Sequence, residues 1–237
     1  MAMRTRIKIC GVRDEAMAQA VVDAGADAVG LVLAEGSPRT VSAAQAGSIA
    51  RALPAWVEPV GLFVDASVEE VLAMAAQAGL TTVQLHGREG PAAARQLADA
   101  GLRVLKAVAL GADARPEDLA MWRGPGTPVR GLLWDAPGDA EAGGAPSGGS
   151  GKRADWSALA DLGVARSEDG WPSMILAGGL TPENVGRAMA RVRPYAVDVS
   201  SGVESARGVK DAERIEAFCA AVRRADAERE MEGSAGG

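Results

Sequence analysis

The chain of 237 residues has few of the residue types from which several classes of site are built. It has one histidine, His86, and two cysteines, Cys10 and Cys219, which have no C-x-x-C spacing. This argues against a zinc or haem centre and against a disulfide scaffold. Aromatic residues make up 3% of the chain and the formal net charge is -6, so stacking platforms and basic surface are both scarce. We therefore expect no metal site and no nucleic-acid partner.

Long apolar runs are also missing. No segment reaches the roughly 18 uninterrupted apolar residues of a transmembrane helix. The N-terminal stretch MAMRTRIKICG has basic residues, but the apolar stretch of a signal peptide does not follow them. We expect no membrane partner and a cytoplasmic location. With 48% hydrophobic residues, the chain can bury a core without a disulfide or a structural metal ion.

What the sequence does contain is an alternation of short β-branched runs with longer alanine-rich stretches. Apolar runs that are nearly continuous indicate parallel strands covered on their faces, and their alternation with helices indicates βαβ units. Eight such runs are predicted strands: residues 7–10, 28–33, 59–64, 82–85, 104–110, 129–134, 174–177 and 196–199.

The stretches between these runs have helical periodicity and the residues typical of helix ends. Ser42, Ser67 and Thr181 occupy N-cap positions, and Pro182 would be the first helical residue of its segment. Glycines follow three predicted helices, as αL caps do, at positions 25, 79 and 101. The predicted helices are residues 14–24, 42–53, 68–78, 91–100, 116–121, 156–162, 182–191 and 211–224.

Eight βα units allow a closed barrel or an open doubly wound sheet. A dinucleotide-binding sheet would have G-x-G-x-x-G after an early strand, whereas here the first strand ends Cys10-Gly11-Val12-Arg13. Eight is also the number of units that closes a barrel. We therefore predict an α/β fold, a single (β/α)8 TIM barrel of eight parallel strands over residues 1–225. Residues 226–237 are expected to form a flexible tail.

Polar residues stand at the ends of the predicted strands, where barrel enzymes carry their chemistry. Lys8 and Cys10 share the interior face of the first strand, because side chains alternate with a period of two. The other candidates at strand ends are Arg39, His86, Asp135 and Asp198.

Small residues follow the seventh and eighth strands, namely Gly178 and Gly179, then Ser200, Ser201 and Gly202. Small residues let backbone N–H groups approach an anion, and barrels often bind phosphate at this pair of loops. Each turn taken alone is also explained by glycines that close a tight connection. Together, the two turns predict a phosphate site.

Five short motifs stand in order at these strand ends: Lys-Ile-Cys-Gly (8–11), Ser-Pro-Arg (37–39), Gln-Leu-His-Gly (84–87), Gly-Gly-Leu-Thr-Pro-Glu-Asn-Val (178–185) and Ser-Ser-Gly-Val-Glu (200–204). With them the sequence resembles the phosphoribosylanthranilate isomerases, over residues 6–224. The stretch around Gly149, Ser150 and Gly151 is similar to the family's glycine-rich loop. The chain departs from the family pattern at Arg207, where proline is common, and in apparent additions at residues 138–146 and 166–172.

The resemblance implies a cofactor-free, metal-free Amadori rearrangement of a small phosphosugar in tryptophan biosynthesis, by a monomer or a homodimer. By position, Asp135 resembles the general acid and Cys10 the general base. The acid has to hold a proton near neutral pH, for which partial burial beside Trp134 and the other strand ends is the expected cause. The base has to act as a thiolate, helped by nearby positive charge. Lys8 is the candidate for that charge, unless it caps the barrel floor.

The remaining site residues follow the same resemblance. Arg39 would pair with the anthranilate carboxylate, unless it is a solvated loop arginine. His86 and Asp198 would line the substrate, with Asp198 meeting ribose hydroxyls or orienting the phosphate loop, although either could be purely structural.

Two rival functions remain. The histidine-pathway isomerase performs the same rearrangement, but it uses paired aspartates where this chain has Cys10 on the first strand. A non-catalytic phosphosugar-binding barrel would be expected to lack Cys10 or Asp135, and both are present.

Overall fold

The structure, a computed structural model, describes residues 4–109, 116–135 and 170–235. Within these ranges eight parallel strands close into a barrel, in which each strand pairs with the next and β8 pairs with β1. That closing pair joins Lys8 to Asp198 in register and excludes an open sheet. The predicted barrel is therefore confirmed. Its strands are β1 Arg6–Cys10, β2 Ala28–Val32, β3 Glu58–Phe63, β4 Thr82–Leu85, β5 Arg103–Ala109, β6 Val129–Asp135, β7 Ser173–Leu176 and β8 Ala196–Val199.

The helical segments up to Trp122 begin and end within one residue of the predicted positions. Ser42 and Ser67 both form capping boxes, in which the serine hydroxyl and the side chain three residues later satisfy each other's backbone N–H groups. The glycines at positions 25, 79 and 101 all have positive φ, as the predicted αL caps require. The helices are Glu15–Asp23, Ala43–Ala52, Val68–Ala78, Pro91–Asp99, Val185–Val192 and Ala212–Ala235, with 3-10 helices at Pro116–Trp122 and Ser201–Val203. The predicted helix 156–162 and the apparent addition at residues 138–146 lie outside the described residues.

The helix after β7 begins later than predicted. The Asn184 side chain accepts a hydrogen bond from the Thr181 N–H and donates one to the Gly179 carbonyl, and the N–H groups of Asn184 and Val185 both donate to the Thr181 carbonyl. These bonds hold residues 179–184 in a separate turn, and the helix then runs Val185–Val192. The prediction of Thr181 as N-cap was wrong: Thr181 begins this turn, and Asn184 occupies the N-cap position of the regular helix.

The last helix extends past the predicted domain boundary at residue 225 and runs Ala212–Ala235. Asp226 is buried, and its carboxylate accepts hydrogen bonds of 2.8 Å from both the N–H and the hydroxyl of Thr5. Thr5 directly precedes β1, so this contact ties the helix to the start of the barrel. Part of the segment predicted as a tail therefore packs on the barrel, because one polar residue satisfies a buried strand end.

Alternation of side chains divides the apolar core into two layers. Alternate residues of the strands, such as Ile7, Ile9 and Trp134, face the surrounding helices. Their neighbours face the barrel interior in two smaller clusters, which include Cys10, Val32 and Leu62 on one side and Ala107, Leu133, Ile175, Ala177 and Ala196 on the other. The interior faces of the strands therefore determine which side chains can reach the barrel mouth.

No helix in the described ranges is both long and apolar enough to cross a membrane.

Candidate active site

Cys10 is the last residue of β1 and faces the barrel interior, with 5% of its surface exposed. Its Sγ lies against the backbone of Gly30 on β2, where a Cβ would come within 2.7 Å of the sulfur. The neighbouring strand therefore needs glycine at this position to leave room for the thiol. Lys8 is buried on the same face of β1, as the strand period predicted.

Three charged side chains act on Cys10: Lys8 and Asp198, which form a buried ion pair, and Lys210. The Nζ of Lys8 donates a 2.7 Å hydrogen bond to Oδ1 of Asp198 on β8. Burial works against the charge of Lys8, but Asp198 and Cys10 outweigh it and raise the pKa of this lysine to about 12. Burial raises the pKa of the Cys10 thiol, and Asp198 adds to this, while Lys8 and Lys210 act in the opposite direction. The ligand-free site therefore holds a neutral thiol beside two ammonium groups.

Asp135 ends β6 and faces His86 across the barrel mouth. His86 Nε2 lies 3.3 Å from Asp135 Oδ2, and the Nδ1 of the same ring lies 2.9 Å from the side-chain nitrogen of Gln84. Trp134 points the other way, into the outer core, so it does not contribute to the partial burial of Asp135, whose side chain is 14% exposed. Consecutive strand residues face opposite sides of the sheet, and His86 is the residue that contacts Asp135.

Arg39, in the loop after β2, is buried, which rules out the solvated loop arginine. Its Nε and Nη2 donate hydrogen bonds of 2.7 and 2.9 Å to the two carboxylate oxygens of Glu204. Glu204 begins a two-stranded hairpin after β8, formed by β9 Glu204–Ala206 and β10 Val209–Lys210. The ion pair therefore joins the loop of the second strand to the extension of the eighth.

Glu204 and Lys210 connect Arg39 to the predicted phosphate loop. The Nζ of Lys210 donates to Glu204 Oε1 at 2.7 Å and to the carbonyl of Ser200 at 3.0 Å. The Ser200 hydroxyl donates in turn to the Cys10 carbonyl at 3.0 Å. Burial opposes ionisation of Glu204, but the hydrogen bonds from Arg39, Lys210 and the Gly208 N–H lower its pKa to about 2. Burial lowers the pKa of Lys210, and the Glu204 carboxylate acts in the opposite direction.

The two small-residue turns meet at the mouth of the barrel. Gly178 and Gly179 have φ of 81° and 64°, and their N–H groups donate no hydrogen bond to the described residues. A Cβ at Gly202 would collide with the carbonyl of Leu180, so the second turn lies directly against the first. The helix predicted to begin at Pro182 begins only at Val185, and a 3-10 helix of three residues follows Ser200. An anion here would therefore depend on backbone N–H groups more than on helix ends.

The structure thus brings Cys10, Asp198, His86 and Asp135 to the interior face of the barrel, with Arg39 and both small-residue turns at its rim. Gly149, Ser150 and Gly151 lie outside the described residues. Sequence reasoning missed Gln84, Glu204 and Lys210. Glu204 could have been found as the last residue of the Ser-Ser-Gly-Val-Glu motif, whereas no signal in the sequence points to Lys210.

Comparison with known proteins agrees with this geometry. The family model for N-(5'phosphoribosyl)anthranilate (PRA) isomerase matches residues 7–221. The chain belongs to the N-(5'-phosphoribosyl)anthranilate isomerase family. It is an isomerase of tryptophan biosynthesis, as the five motifs implied. A curated N-(5'-phosphoribosyl)anthranilate isomerase from Methylibium petroleiphilum is 45% identical over 225 residues, covering 95% of this chain and 97% of its own length.

Solved structures of the family have the same fold. A phosphoribosyl anthranilate isomerase from Thermus thermophilus superposes with a TM-score of 0.78 at 37% identity, covering 93% of this chain and 99% of its own. A second family structure, at 34% identity and a TM-score of 0.74, covers 93% of this chain and 99% of its own. It contains reduced 1-(o-carboxyphenylamino)-1-deoxyribulose 5-phosphate.

Proposed function

We propose that Cys10 is the general base and Asp135 the general acid of this isomerase. The reaction is the Amadori rearrangement of N-(5-phosphoribosyl)anthranilate to 1-(2-carboxyphenylamino)-1-deoxyribulose 5-phosphate. The observation that carries the proposal is that both residues end strands of one closed barrel and face its interior. In barrel enzymes, catalytic groups come from the ends of different strands at this face.

Ring opening needs an acid, and Asp135 is placed to supply it. The carboxyl transfers its proton to the ribose ring oxygen as the bond between that oxygen and C1 breaks, which leaves a protonated Schiff base between C1 and the anthranilate nitrogen. His86 Nε2, 3.3 Å from Oδ2, orients the carboxyl and leaves Oδ1 for the substrate. The nitrogen of Gln84 contacts the other side of the ring, which favours the tautomer with hydrogen on Nε2.

Proton abstraction follows at C2. The Cys10 thiolate accepts the C2 proton, and the electrons of that C–H bond form the C1–C2 double bond of an enolamine while the Schiff base is neutralised. Tautomerisation of the enolamine to the aminoketose completes the reaction. Lys8 and Lys210 favour the thiolate because each lowers the pKa of Cys10, although burial opposes them in the ligand-free site. The Lys8–Asp198 pair makes Asp198 a structural partner as well as a substrate-lining candidate.

The two ends of the substrate would be held at the rim. We assign the anthranilate carboxylate to Arg39, and the phosphate to the turns at Gly178–Gly179 and Ser200–Gly202. Support for the phosphate site comes from the N–H groups of Gly178 and Gly179, which have no acceptor in the part of the chain that the structure describes, and from the direct packing of the two turns. We expect inorganic phosphate or sulfate to bind between these turns. A phosphate-soaked crystal with an anion elsewhere at the mouth would contradict this.

The test is the loss of phosphoribosylanthranilate fluorescence on addition of the purified protein. Cys10→Ser and Asp135→Asn should each lower kcat by at least the roughly 10²–10⁴-fold that general acid–base catalysis contributes. Cys219→Ser is the matched control, because this second buried cysteine lies in the last helix, away from the barrel mouth. Near-normal kcat in Cys10→Ser would reassign the base, with His86 as the next residue to test.

The open-chain form of the substrate separates the two roles. Because Asp135 would act only in ring opening, an analogue that is already open should relieve the defect of Asp135→Asn and leave that of Cys10→Ser. If both defects persisted with the open analogue, Asp135 would not be the ring-opening acid. A free thiol as base fits a reducing compartment, so the cytoplasm is our proposed location, with a monomer or a homodimer as the proposed assembly.

A further inference from the structure

Arg39 uses only one edge of its guanidinium in the ion pair with Glu204. We propose that Glu204 is a positioning residue that fixes Arg39 so that its second edge, Nη1 with the remaining hydrogen of Nη2, is reserved for the aryl carboxylate of the substrate. The inference rests on the proposed role of Arg39 and names the residue that makes that role specific. Glu204 itself would not touch the substrate.

A guanidinium offers five N–H donors and two edges that can each hold a carboxylate in a bidentate arrangement. Glu204 occupies the Nε and Nη2 edge, at 2.7 and 2.9 Å. Nη1 has no partner among the described residues, and it is not one of their fully buried unpaired atoms, so it remains accessible. The free edge therefore matches the geometry of a second carboxylate.

The aliphatic part of the Arg39 side chain is held in place as well as the guanidinium. Gly11, which follows Cys10, lies against it, and a Cβ there would come within 2.5 Å of Arg39 Cδ and 3.2 Å of Cγ. Gly11 also has φ of +84°, which favours glycine. The arginine therefore lies across the end of β1, next to the proposed base. An arginine fixed before binding loses less side-chain entropy when the substrate arrives.

The charge balance of the cluster also points to an anionic ligand. Arg39, Lys210 and Glu204 are all buried, and they carry two positive charges against one negative charge. The other buried pair nearby, Lys8 with Asp198, is neutral as a pair. Uncompensated charge in a poorly hydrated site is costly, so one carboxylate on the free edge of Arg39 would complete the balance.

The experiment compares two ligands that differ only in the carboxylate: 1-(2-carboxyphenylamino)-1-deoxyribulose 5-phosphate and its phenylamino analogue. Their dissociation constants are measured by competition against the enzyme's turnover or by calorimetry. In the wild type we expect preference for the carboxylated ligand. Glu204→Gln should reduce that preference about tenfold or more, because the variant loosens a charge-assisted contact, and should leave the phenylamino analogue bound nearly as before.

A double-mutant cycle separates positioning from general damage. In an Arg39→Ala background, Glu204→Gln should leave the preference unchanged, since no guanidinium remains to be positioned. Asp226→Asn is the control, because it removes the charge of another buried carboxylate, which accepts hydrogen bonds from Thr5 just before β1. This variant should leave the preference as in the wild type. Equal loss of affinity for both ligands in Glu204→Gln, or a further loss in the Arg39→Ala background, would overturn the proposal.

A different result is expected if Arg39 does not bind the carboxylate of the substrate. If Arg39→Ala kept the wild-type preference, Arg39 would not hold the carboxylate, whatever Glu204 did. If Glu204→Gln did not fold, Glu204→Asp would serve instead. Its side chain is one methylene shorter and cannot meet both Nε and Nη2 unless the guanidinium moves, so the preference should fall here too. An unchanged preference in Glu204→Asp would also refute the role of Glu204.

Discussion

The thiol of Cys10 is the residue whose chemistry depends most on its surroundings. Burial raises its pKa, although Lys8 and Lys210 oppose that effect. Because this pKa is raised, we expect the thiol to be neutral at pH 7 in the free enzyme, and the base that we propose would form only in the complex with substrate. We infer that the site does not store a permanent thiolate, unlike cysteine enzymes whose nucleophile has a depressed pKa.

The rate of alkylation at different pH values measures the ionisation of the Cys10 thiol. With iodoacetamide, the rate of Cys10 modification should rise with pH, with a midpoint above the value of about 8.5 for a free cysteine, because only the thiolate reacts. Mass spectrometry after digestion assigns the modified residue, and bound product should protect it. Cys219→Ser should give the same profile, since burial raises the pKa of Cys219 to about 11. A rate independent of pH between 6 and 8 would mean a preformed thiolate.

Arg39→Ala tests substrate anchoring at a second residue. The carboxylate lies away from the reacting carbons, so it is held similarly in the ground and transition states, and its loss should raise KM with little change in kcat. The expected loss is roughly 1.5–3 kcal/mol, the range for a hydrogen bond to a charged group. Arg207→Ala is the control, an exposed arginine in the same hairpin as Glu204. Collapse of kcat at constant KM would refute the anchor.

At the scale of elements, the turn after β8 owes its position to a single glycine. Gly202→Ala would place a methyl group on the carbonyl of Leu180 and push the two turns apart. Inorganic phosphate, titrated by calorimetry, should bind at least several-fold more weakly, and the free energy of unfolding should fall by roughly 1–3 kcal/mol from overpacking. Gly90→Ala, with open space around it and a φ of -91°, should leave the phosphate affinity unchanged. Unchanged phosphate affinity in Gly202→Ala would remove this turn from the phosphate site.

The last helix belongs to the barrel up to at least Asp226. Asp226→Ala leaves the N–H and hydroxyl of Thr5 without their acceptor in a buried position. Urea unfolding should therefore show a loss of roughly 1–3 kcal/mol, with kcat unchanged because the contact lies at the amino-terminal end of β1. Glu228→Ala, on an exposed position of the same helix, should cost nothing measurable. Equal stability of both variants would place the end of the folded domain before residue 226.

At the scale of the whole molecule, the Glu204 cluster links stability to pH. The pKa of Glu204 is lowered to about 2 from an ordinary value of 4.5. A carboxyl whose pKa is depressed by folding contributes stability above its unfolded pKa, and that contribution disappears as pH falls from about 4.5 to about 2. The shift corresponds to roughly 3 kcal/mol.

Urea unfolding at pH 6 and at pH 3 checks this. The wild type should lose stability over the interval, and Glu204→Gln should lose less, because the variant has no carboxyl to protonate at this position. The difference between the two pH slopes is the measured quantity. Identical slopes in wild type and variant would show that other carboxyls determine acid unfolding.

The sequence by itself determined the barrel and the identity of the acid and base candidates. Apolar runs and capping residues act locally, so Ser42 and Ser67 could be assigned as N-caps without knowledge of the fold. The strand period also places Lys8 and Cys10 on one face, because alternation is a property of the backbone.

Tertiary structure decided which charges meet. Glu204 is 165 positions from Arg39 and Asp198 is 190 from Lys8, and only closure of the barrel brings each pair within hydrogen-bond distance. The packing of Asp226 on Thr5 likewise depends on side-chain hydrogen bonds between residues 221 positions apart. Local conformational preferences depend on residues that are neighbours in the sequence. Ion pairs depend instead on the distance between atoms, and for residues far apart in the sequence that distance is set only when the chain folds.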